Sequence, residues 1–93
     1  MALSVAINMQ AMTVQQQVEQ YFADAPVMIE IAGCESHFRQ FNKTGVVYRG
    51  KANRYDLGVM QINELYHADE AKKLNLDLTD LQDNLAFARQ LYK

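Results

Sequence analysis

Glu35 is the residue whose position in the sequence most directly suggests chemistry. When successive residues are turned by about 100° around a helix axis, Glu35 falls inside an arc of apolar residues. The members of that arc are Val27, Met28, Ile31, Cys34 and Phe38. A carboxyl group on an apolar face loses hydration, which favours the neutral, proton-donating form that a general acid needs. The alternative interpretation is a glutamate near a helix end whose stem covers apolar surface while its head reaches water.

Two short segments of the chain, read together, resemble a known family. The first is Glu35-Ser36 followed by Phe38, and the second is the segment Gly58-Val59-Met60-Gln61-Ile62-Asn63, with Asn84 in a later helix. In this order, with a short polar insertion between them, they resemble the lysozyme-like superfamily. The closer resemblance is to its lytic transglycosylase branch, the soluble lytic transglycosylase-like domains. The resemblance covers about residues 27 to 92.

The resemblance implies an enzyme that cleaves the β-1,4 bond between N-acetylmuramic acid and N-acetylglucosamine in bacterial peptidoglycan. In a lytic transglycosylase Glu35 would be the catalytic acid and base, and the substrate's N-acetyl group would assist. Asp56 stands two residues before Gly58, where animal-type lysozymes carry a second catalytic aspartate. A hydrolytic lysozyme that uses Glu35 and Asp56 is therefore an alternative, as two-carboxylate glycosidases require. A non-catalytic peptidoglycan-binding or structural module of the same fold is another.

Four further residues are predicted to bind substrate: Ser36, Met60, Gln61 and Asn63. The resemblance places Met60 and Gln61 in the sugar cleft. The amides of Gln61 and Asn63 donate and accept hydrogen bonds at once, which suits sugars that carry amide groups. Each residue also has a structural alternative. Gln61 or Asn63 could bond the backbone of a hairpin, Ser36 could cap local backbone, and Met60 could pack in the core.

Composition limits the classes of protein to consider. A chain of 93 residues with 49% apolar and 22% charged residues is typical of a single globular domain. The net charge of -2 gives no electrostatic reason to expect a nucleic-acid partner. A single cysteine excludes an internal disulfide framework. The sequence shows no secretory signal and no run of membrane-spanning length.

The location and partners are predicted from the resemblance. A peptidoglycan enzyme works in the periplasm or outside the cell, so we expect the cell envelope as its location. The expected partners are glycan strands and other domains of a longer cell-wall protein. The family's later helix, with its Ala-Tyr-Asn segment, has no counterpart before Lys93.

Neither a cofactor nor a metal ion is predicted. Cys34 belongs to the apolar arc whereas His37 lies on the opposite side of the helix, so a thiol nucleophile is not expected and Cys34 is interpreted as core. His67 and Glu70 share a helix face at a spacing of three, but no second such pair accompanies them.

These residues must be positioned by a mostly helical α+β domain. The predicted architecture is a lysozyme-like fold of about four helices with a small β-hairpin. A poorly ordered lead-in (1–12) is followed by a helix capped by Thr13 and by a second helix, with Asp24 as N-cap, that runs from Pro26 to about Phe38. A hairpin is then expected between 46–48 and 55–57. The last two elements are a helix from Glu64 to Leu74 that stops at Asn75 and a final helix capped by Thr79.

Overall fold

The computed structural model describes residues 12–92. In chain order these form α1 (Val14–Tyr21), α2 (Pro26–Ser36), β1 (Asp56–Leu57), β2 (Ile62–Asn63), α3 (Glu64–Lys73) and α4 (Leu81–Leu91). The predicted class, mostly helical α+β with about four helices and a small hairpin, is confirmed for this part of the chain. The predicted lead-in lies outside the described residues, apart from Met12.

Helix α1 begins where the capping-box pattern predicted. The Thr13 hydroxyl accepts from the Gln16 amide at 3.1 Å, and the Gln16 side chain accepts from the Thr13 amide at 2.9 Å. Two backbone amides that have no partner within the helix thereby gain hydrogen bonds. Val18 in α1 and Phe22, the residue that follows its last turn, are completely buried. These two side chains join a core to which every helix and both strands contribute, including Ala32, Leu57, Ile62, Ala71 and Leu85.

The start of α2 corrects one prediction. Pro26 does lie in the first turn, where its missing N–H costs nothing. The N-cap, however, is Ala25 and not Asp24. The Asp24 carboxylate instead receives two hydrogen bonds from the Arg89 guanidinium, both at 3.0 Å. This pairing lowers the pKa of Asp24 from its ordinary value and ties the α1–α2 turn to the end of α4.

Helix α2 ends at Ser36, two residues earlier than predicted. His37 and Phe38 both take the left-handed conformation, with φ of 53° and 61°. The chain therefore turns back on itself, and the Phe38 ring covers Gly33. A Cβ at Gly33 would lie 3.1 Å from that ring. Gly33 thus permits a close local contact with the Phe38 ring.

The hairpin differs from the predicted pairing. Strand β1 pairs with β2 in antiparallel register, Asp56 opposite Asn63 and Leu57 opposite Ile62. The 46–48 segment, predicted to be one hairpin arm, has only a single bridge of its own, between Phe41 and Val47. Backbone hydrogen bonds at 2.8 and 2.9 Å nevertheless join the 48–50 segment to 56–58. Arg49 and Leu57 also form an antiparallel bridge, so the 55–57 arm does pair with the preceding segment, but the pairing is centred on Arg49 and not on the predicted 46–48.

The last two helices follow local signals with one exception. Asn75 has a φ of 58° just beyond α3, as predicted for its stop. Helix α4 is capped by Asp80, whose carboxylate accepts from the Asp83 amide at 3.0 Å. The predicted cap, Thr79, is wrong because its hydroxyl donates to Asp77 at 2.6 Å. This bond is the main reason that the pKa of Asp77 is lowered.

Candidate functional site

A groove of about 360 Å³ lies between the end of α2 and the 48–61 segment. Glu35 and Asp56, the two carboxylates singled out by the sequence, both line it. The other lining residues are His37, Arg39, Tyr48, Gly50, Lys51, Ala52, Asn53 and Gln61. Two parts of the chain that are well separated in sequence therefore bring two acids to one concave surface. A concave surface that carries a few polar side chains is typical of a ligand-binding site.

The predicted burial of Glu35 is wrong. Its side chain is exposed, and within residues 12–92 it makes no hydrogen bond or ion pair. The face of α2 that meets the core carries Met28, Ala32 and Ser36 instead. The protein interior therefore does not remove water from around the Glu35 side chain, as had been expected.

Two of the five members of the apolar arc that contains Glu35 lie on the surface. Val27 is 60% exposed and Cys34 is exposed, so the interpretation of Cys34 as core is also wrong. Val27, Ile31 and Cys34 line a shallow hollow beside Tyr92, and Glu35 stands at its border with the groove. The helix is apolar on more than one side, and the core covers the side that carries Met28, Ala32 and Ser36, of which the arc included only Met28.

Asp56 is the more firmly positioned of the two acids. It is half-buried, and its Oδ1 accepts a hydrogen bond from Asn63 Nδ2 at 3.0 Å. Asn63 is fixed in turn because its Oδ1 accepts from the Tyr66 amide at 3.1 Å as the N-cap of α3. The predicted substrate-binding amide of Asn63 is thus occupied in holding Asp56 and the helix start.

Ser36 and Met60 were predicted to touch substrate, but the structure places both in the interior. The Ser36 hydroxyl donates to the Val59 carbonyl at 2.7 Å and accepts from the Arg39 amide at 3.1 Å. Met60 is 2% exposed and packs in the core. These two residues therefore support the wall of the groove from behind, and the structural alternatives stated for them apply.

Gln61 lines the groove while it also stabilises the tight turn. Its Nε2 donates to the carbonyls of Asp56 and Gly58, at 3.2 and 3.0 Å. Its backbone is left-handed, with φ of 53°. Gly50 allows this arrangement, since a Cβ there would come within 2.5 Å of Gln61 Oε1. The hairpin-bonding alternative for Gln61 is confirmed, and its side chain is at the same time part of the groove surface.

Two buried amide side chains fix the turn that carries Gln61. Asn84 Oδ1 accepts from the Met60 amide at 3.0 Å, while its Nδ2 donates to Leu57 and Leu78 carbonyls at 3.1 and 2.9 Å. Gln40 Oε1 accepts from the Val59 amide at 2.8 Å. Both amides are completely buried. Consecutive backbone amides of the turn are therefore held by side chains from distant parts of the chain.

Sequence reasoning did not assign these roles. Asn84 was noted only through the resemblance, although a signal was present: it lies three residues after Leu81 and four before Ala88, on the apolar stripe of α4. An amide on such a stripe must find hydrogen-bond partners in the interior. Gln40 follows the end of α2 in an irregular segment, and its neighbours give no period from which burial could be predicted.

Comparison of the chain with protein-family models, with curated proteins and with solved structures found no match. Among residues 12–92, no helix has both the length and the apolar character needed to cross a membrane. The same residues contain no cluster of three or more His, Cys, Asp or Glu side chains placed to hold a metal ion. The functional interpretation therefore depends on the groove and on the residues that line it.

Proposed function

We propose that this chain binds glycan strands of bacterial peptidoglycan in the groove between α2 and the hairpin. The reaction we propose is cleavage of the β-1,4 bond between N-acetylmuramic acid and N-acetylglucosamine, as in a lytic transglycosylase. The observation that supports this most strongly is that Glu35 and Asp56 line one groove. The segments that carry them are those whose motifs resemble the family. The proposed location is the cell envelope, beside other domains of a longer cell-wall protein.

In the proposed reaction Glu35 donates a proton to the bridging oxygen as the glycosidic bond breaks. Positive charge then develops on the muramic acid ring, and the N-acetyl carbonyl of the same sugar stabilises it. The Glu35 carboxylate next removes the proton from the 6-hydroxyl, whose oxygen closes a 1,6-anhydro ring. The enzyme ends in its starting protonation state, and no water is consumed.

Because Glu35 is exposed, the substrate must supply the dry surroundings that a neutral carboxyl needs. Sugar rings that fill the groove would displace water from around Glu35, and this loss of hydration disfavours the charged carboxylate. The exposed position also leaves Glu35 accessible to a bridging oxygen. The proposal therefore assigns to the glycan the role that the protein core was expected to play.

Hydrolysis is the second candidate, and the position of Asp56 favours it. Asp56 lines the same groove as Glu35 and is oriented by Asn63. A fixed second carboxylate could stabilise the developing charge or attack the ring, after which water would complete the reaction. Under this alternative Asp56→Asn would abolish cleavage, whereas a transglycosylase that depends on Glu35 alone would keep most of its rate.

A digest of purified peptidoglycan, analysed by mass spectrometry, tests the proposal. Anhydromuramic ends, lighter by one water than reducing ends, are expected from the parent chain. Glu35→Gln should lower the rate by at least about 100-fold, because a positioned general acid typically contributes that much. Glu30→Gln is the matched control, since Glu30 lies on the same helix but does not line the groove.

Each other outcome has a distinct meaning. Reducing ends in place of anhydro ends would support the hydrolase. If the parent releases no products and Glu35→Gln binds glycan as well as the parent does, the chain is a binding module and the enzymatic proposal is wrong.

A further inference from the structure

The basic residues of this acidic chain are unevenly distributed. Residues 36–55 contain five of the nine Lys and Arg residues and none of the eleven Asp and Glu residues. Glu35 and Asp56 stand immediately outside the two ends of this segment. The segment therefore carries a local positive charge in a chain whose net charge is -2. Such a local field favours negatively charged ligands.

Part of this positive charge lies at the groove itself. Arg39 and Lys51 line it together with Glu35. Neither pairs with a carboxylate in the part of the chain that the structure describes, where the ion pairs are those of Arg49 with Glu64 and Arg89 with Asp24. Two cations without a carboxylate partner among residues 12–92 are therefore available to a ligand.

The Arg39 guanidinium is fixed in place by contacts with its neighbours. Its Nε donates to the Ser36 carbonyl at 2.9 Å, and its Nη2 donates to the Tyr48 hydroxyl at 3.1 Å. The guanidinium carbon lies 4.2 Å from the centre of the Tyr48 ring, a cation–π distance. The Nη1 group makes no hydrogen bond within residues 12–92. A guanidinium fixed in this way loses little side-chain entropy when it binds an anion.

We propose that Arg39 and Lys51 bind carboxylate groups carried by the glycan strand, and so select anionic peptidoglycan over neutral glycans. This inference depends on the proposed function, because it concerns the same groove. The carboxylates in question are those of the lactyl ether of muramic acid or of the attached peptide stem. A polymer of N-acetylglucosamine alone has the same acetamido groups and the same linkage but no carboxylate. The two cations would therefore distinguish the polymers by charge.

A nucleic acid fits the groove less well than an acidic glycan. Its phosphates form a continuous line of negative charge, and the basic residues that bind it usually follow that line. Here the two cations share the groove with Glu35 and Asp56, which would repel a continuous polyanion. A strand with carboxylates only on alternate sugars can place them at the cations and its neutral sugars at the acids.

Binding measurements on the full chain test the inference separately from cleavage. Glu35→Gln is used as the background so that no ligand is consumed. Its affinity is measured at low salt for soluble peptidoglycan fragments, for the same fragments with their carboxylates converted to methyl esters, and for chitohexaose. The unmodified fragments should bind about tenfold more tightly than either neutral ligand, because two exposed ion pairs contribute a few-fold each. This preference should decrease as salt is added.

Lys51→Gln should weaken binding of the unmodified fragments about two- to fivefold and leave the two neutral ligands unchanged. Lys51→Arg should restore the preference, since it restores the charge. Lys72→Gln, an exposed lysine on α3 that does not line the groove, is the control and should change none of the three affinities. Lys51 is exposed, so these variants should keep the unfolding midpoint of the background chain.

The outcomes separate this inference from the proposed function. Equal affinity for the charged and neutral ligands overturns the inference, while cleavage by the parent chain would still support the function. A clear charge preference without any cleavage supports the inference and overturns the enzymatic proposal. If a short RNA competes as strongly as the acidic fragments, the cations form an unspecific basic patch and the inference is wrong. Failure to bind any glycan overturns both.

Discussion

Replacement of Asn84 by alanine should destabilise this domain severely, although Asn84 lies outside the groove. Its amide is completely buried and makes hydrogen bonds to the backbone at Met60, Leu57 and Leu78. Alanine would remove all three bonds and leave a void at the junction of α4 and the tight turn. The same substitution on the exposed side of a helix would cost almost nothing.

The loss of stability in Asn84→Ala follows from the three hydrogen bonds that are removed. The Leu78 carbonyl keeps a second donor, Gln40 Nε2 at 3.4 Å, and the Leu57 carbonyl lies opposite Ile62 in the strand ladder. The Met60 amide has no such substitute among the hydrogen bonds of the described residues. Leaving one buried amide without a partner costs about 1–3 kcal/mol, and two lost bonds add about 1 kcal/mol each. We therefore expect a loss of about 3–5 kcal/mol, a large part of the stability of a small domain.

Urea unfolding at neutral pH measures this loss, with Gln90→Ala as the matched control on an exposed position of the same helix. Amide hydrogen exchange adds a local test, because the Met60 amide should lose its protection in Asn84→Ala even under native conditions. A free energy of unfolding within about 0.5 kcal/mol of the control, the range of ordinary surface substitutions, would refute the reasoning. So would a Met60 amide that exchanges as slowly as in the parent.

Two further predictions concern the turns and the pH dependence of stability. Gly58→Ala should cost at least about 3 kcal/mol, because a Cβ there would lie 2.5 Å from Gln40 Oε1 and the φ of 70° is left-handed. Gly45→Ala, with φ of 84° but open space around it, should cost only the left-handed penalty of about 1–2 kcal/mol, and urea unfolding of the two variants isolates the steric contribution. The hydrogen bonds from Arg89 lower the pKa of Asp24 below its ordinary value of 3.8. The ion pair between Asp24 and Arg89 therefore stabilises the folded chain fully above pH 3.8, and this stabilisation is lost as the pH falls through the pKa that Asp24 has in the folded state. Thermal unfolding of Asp24→Asn and the parent between pH 2 and 7 should therefore show a difference in midpoint that disappears in acid, and a difference that persists unchanged would contradict this assignment.

The features that the sequence predicted correctly are local ones. The capping box at Thr13, the proline in the first turn of α2 and the left-handed stop at Asn75 each depend on contacts within a few residues. Backbone geometry alone favours these residue types at these positions. The final helix was also predictable, because its apolar residues recur at helical spacing and thus define a single buried face.

The site was less predictable because it depends on which surfaces meet. Helix α2 has apolar residues on more than one side, so its periodicity does not determine whether the side with Val27 and Cys34 or the side with Met28 and Ala32 faces the core. The core packs against the side with Met28 and Ala32, and Glu35 is exposed as a result. The hairpin register depends similarly on buried amides, Gln40 among them, that are distant in sequence from the backbone groups they bond.

Buried polar side chains explain how a small domain can place two acids on an open groove. The turn between the strands is fixed from behind by Ser36, Gln40 and Asn84, whose polar atoms bond backbone groups that would otherwise be buried without partners. Rigidity is thus supplied below the surface, and Asp56 and Gln61 are positioned on it without being enclosed. An open groove admits a long polymer but leaves Glu35 hydrated, so any acid catalysis must use binding energy from the polymer to exclude water. A glycan too short to cover the groove should therefore be cleaved more slowly as well as bound more weakly, since the sugars beyond the scissile bond would be those that displace water from Glu35.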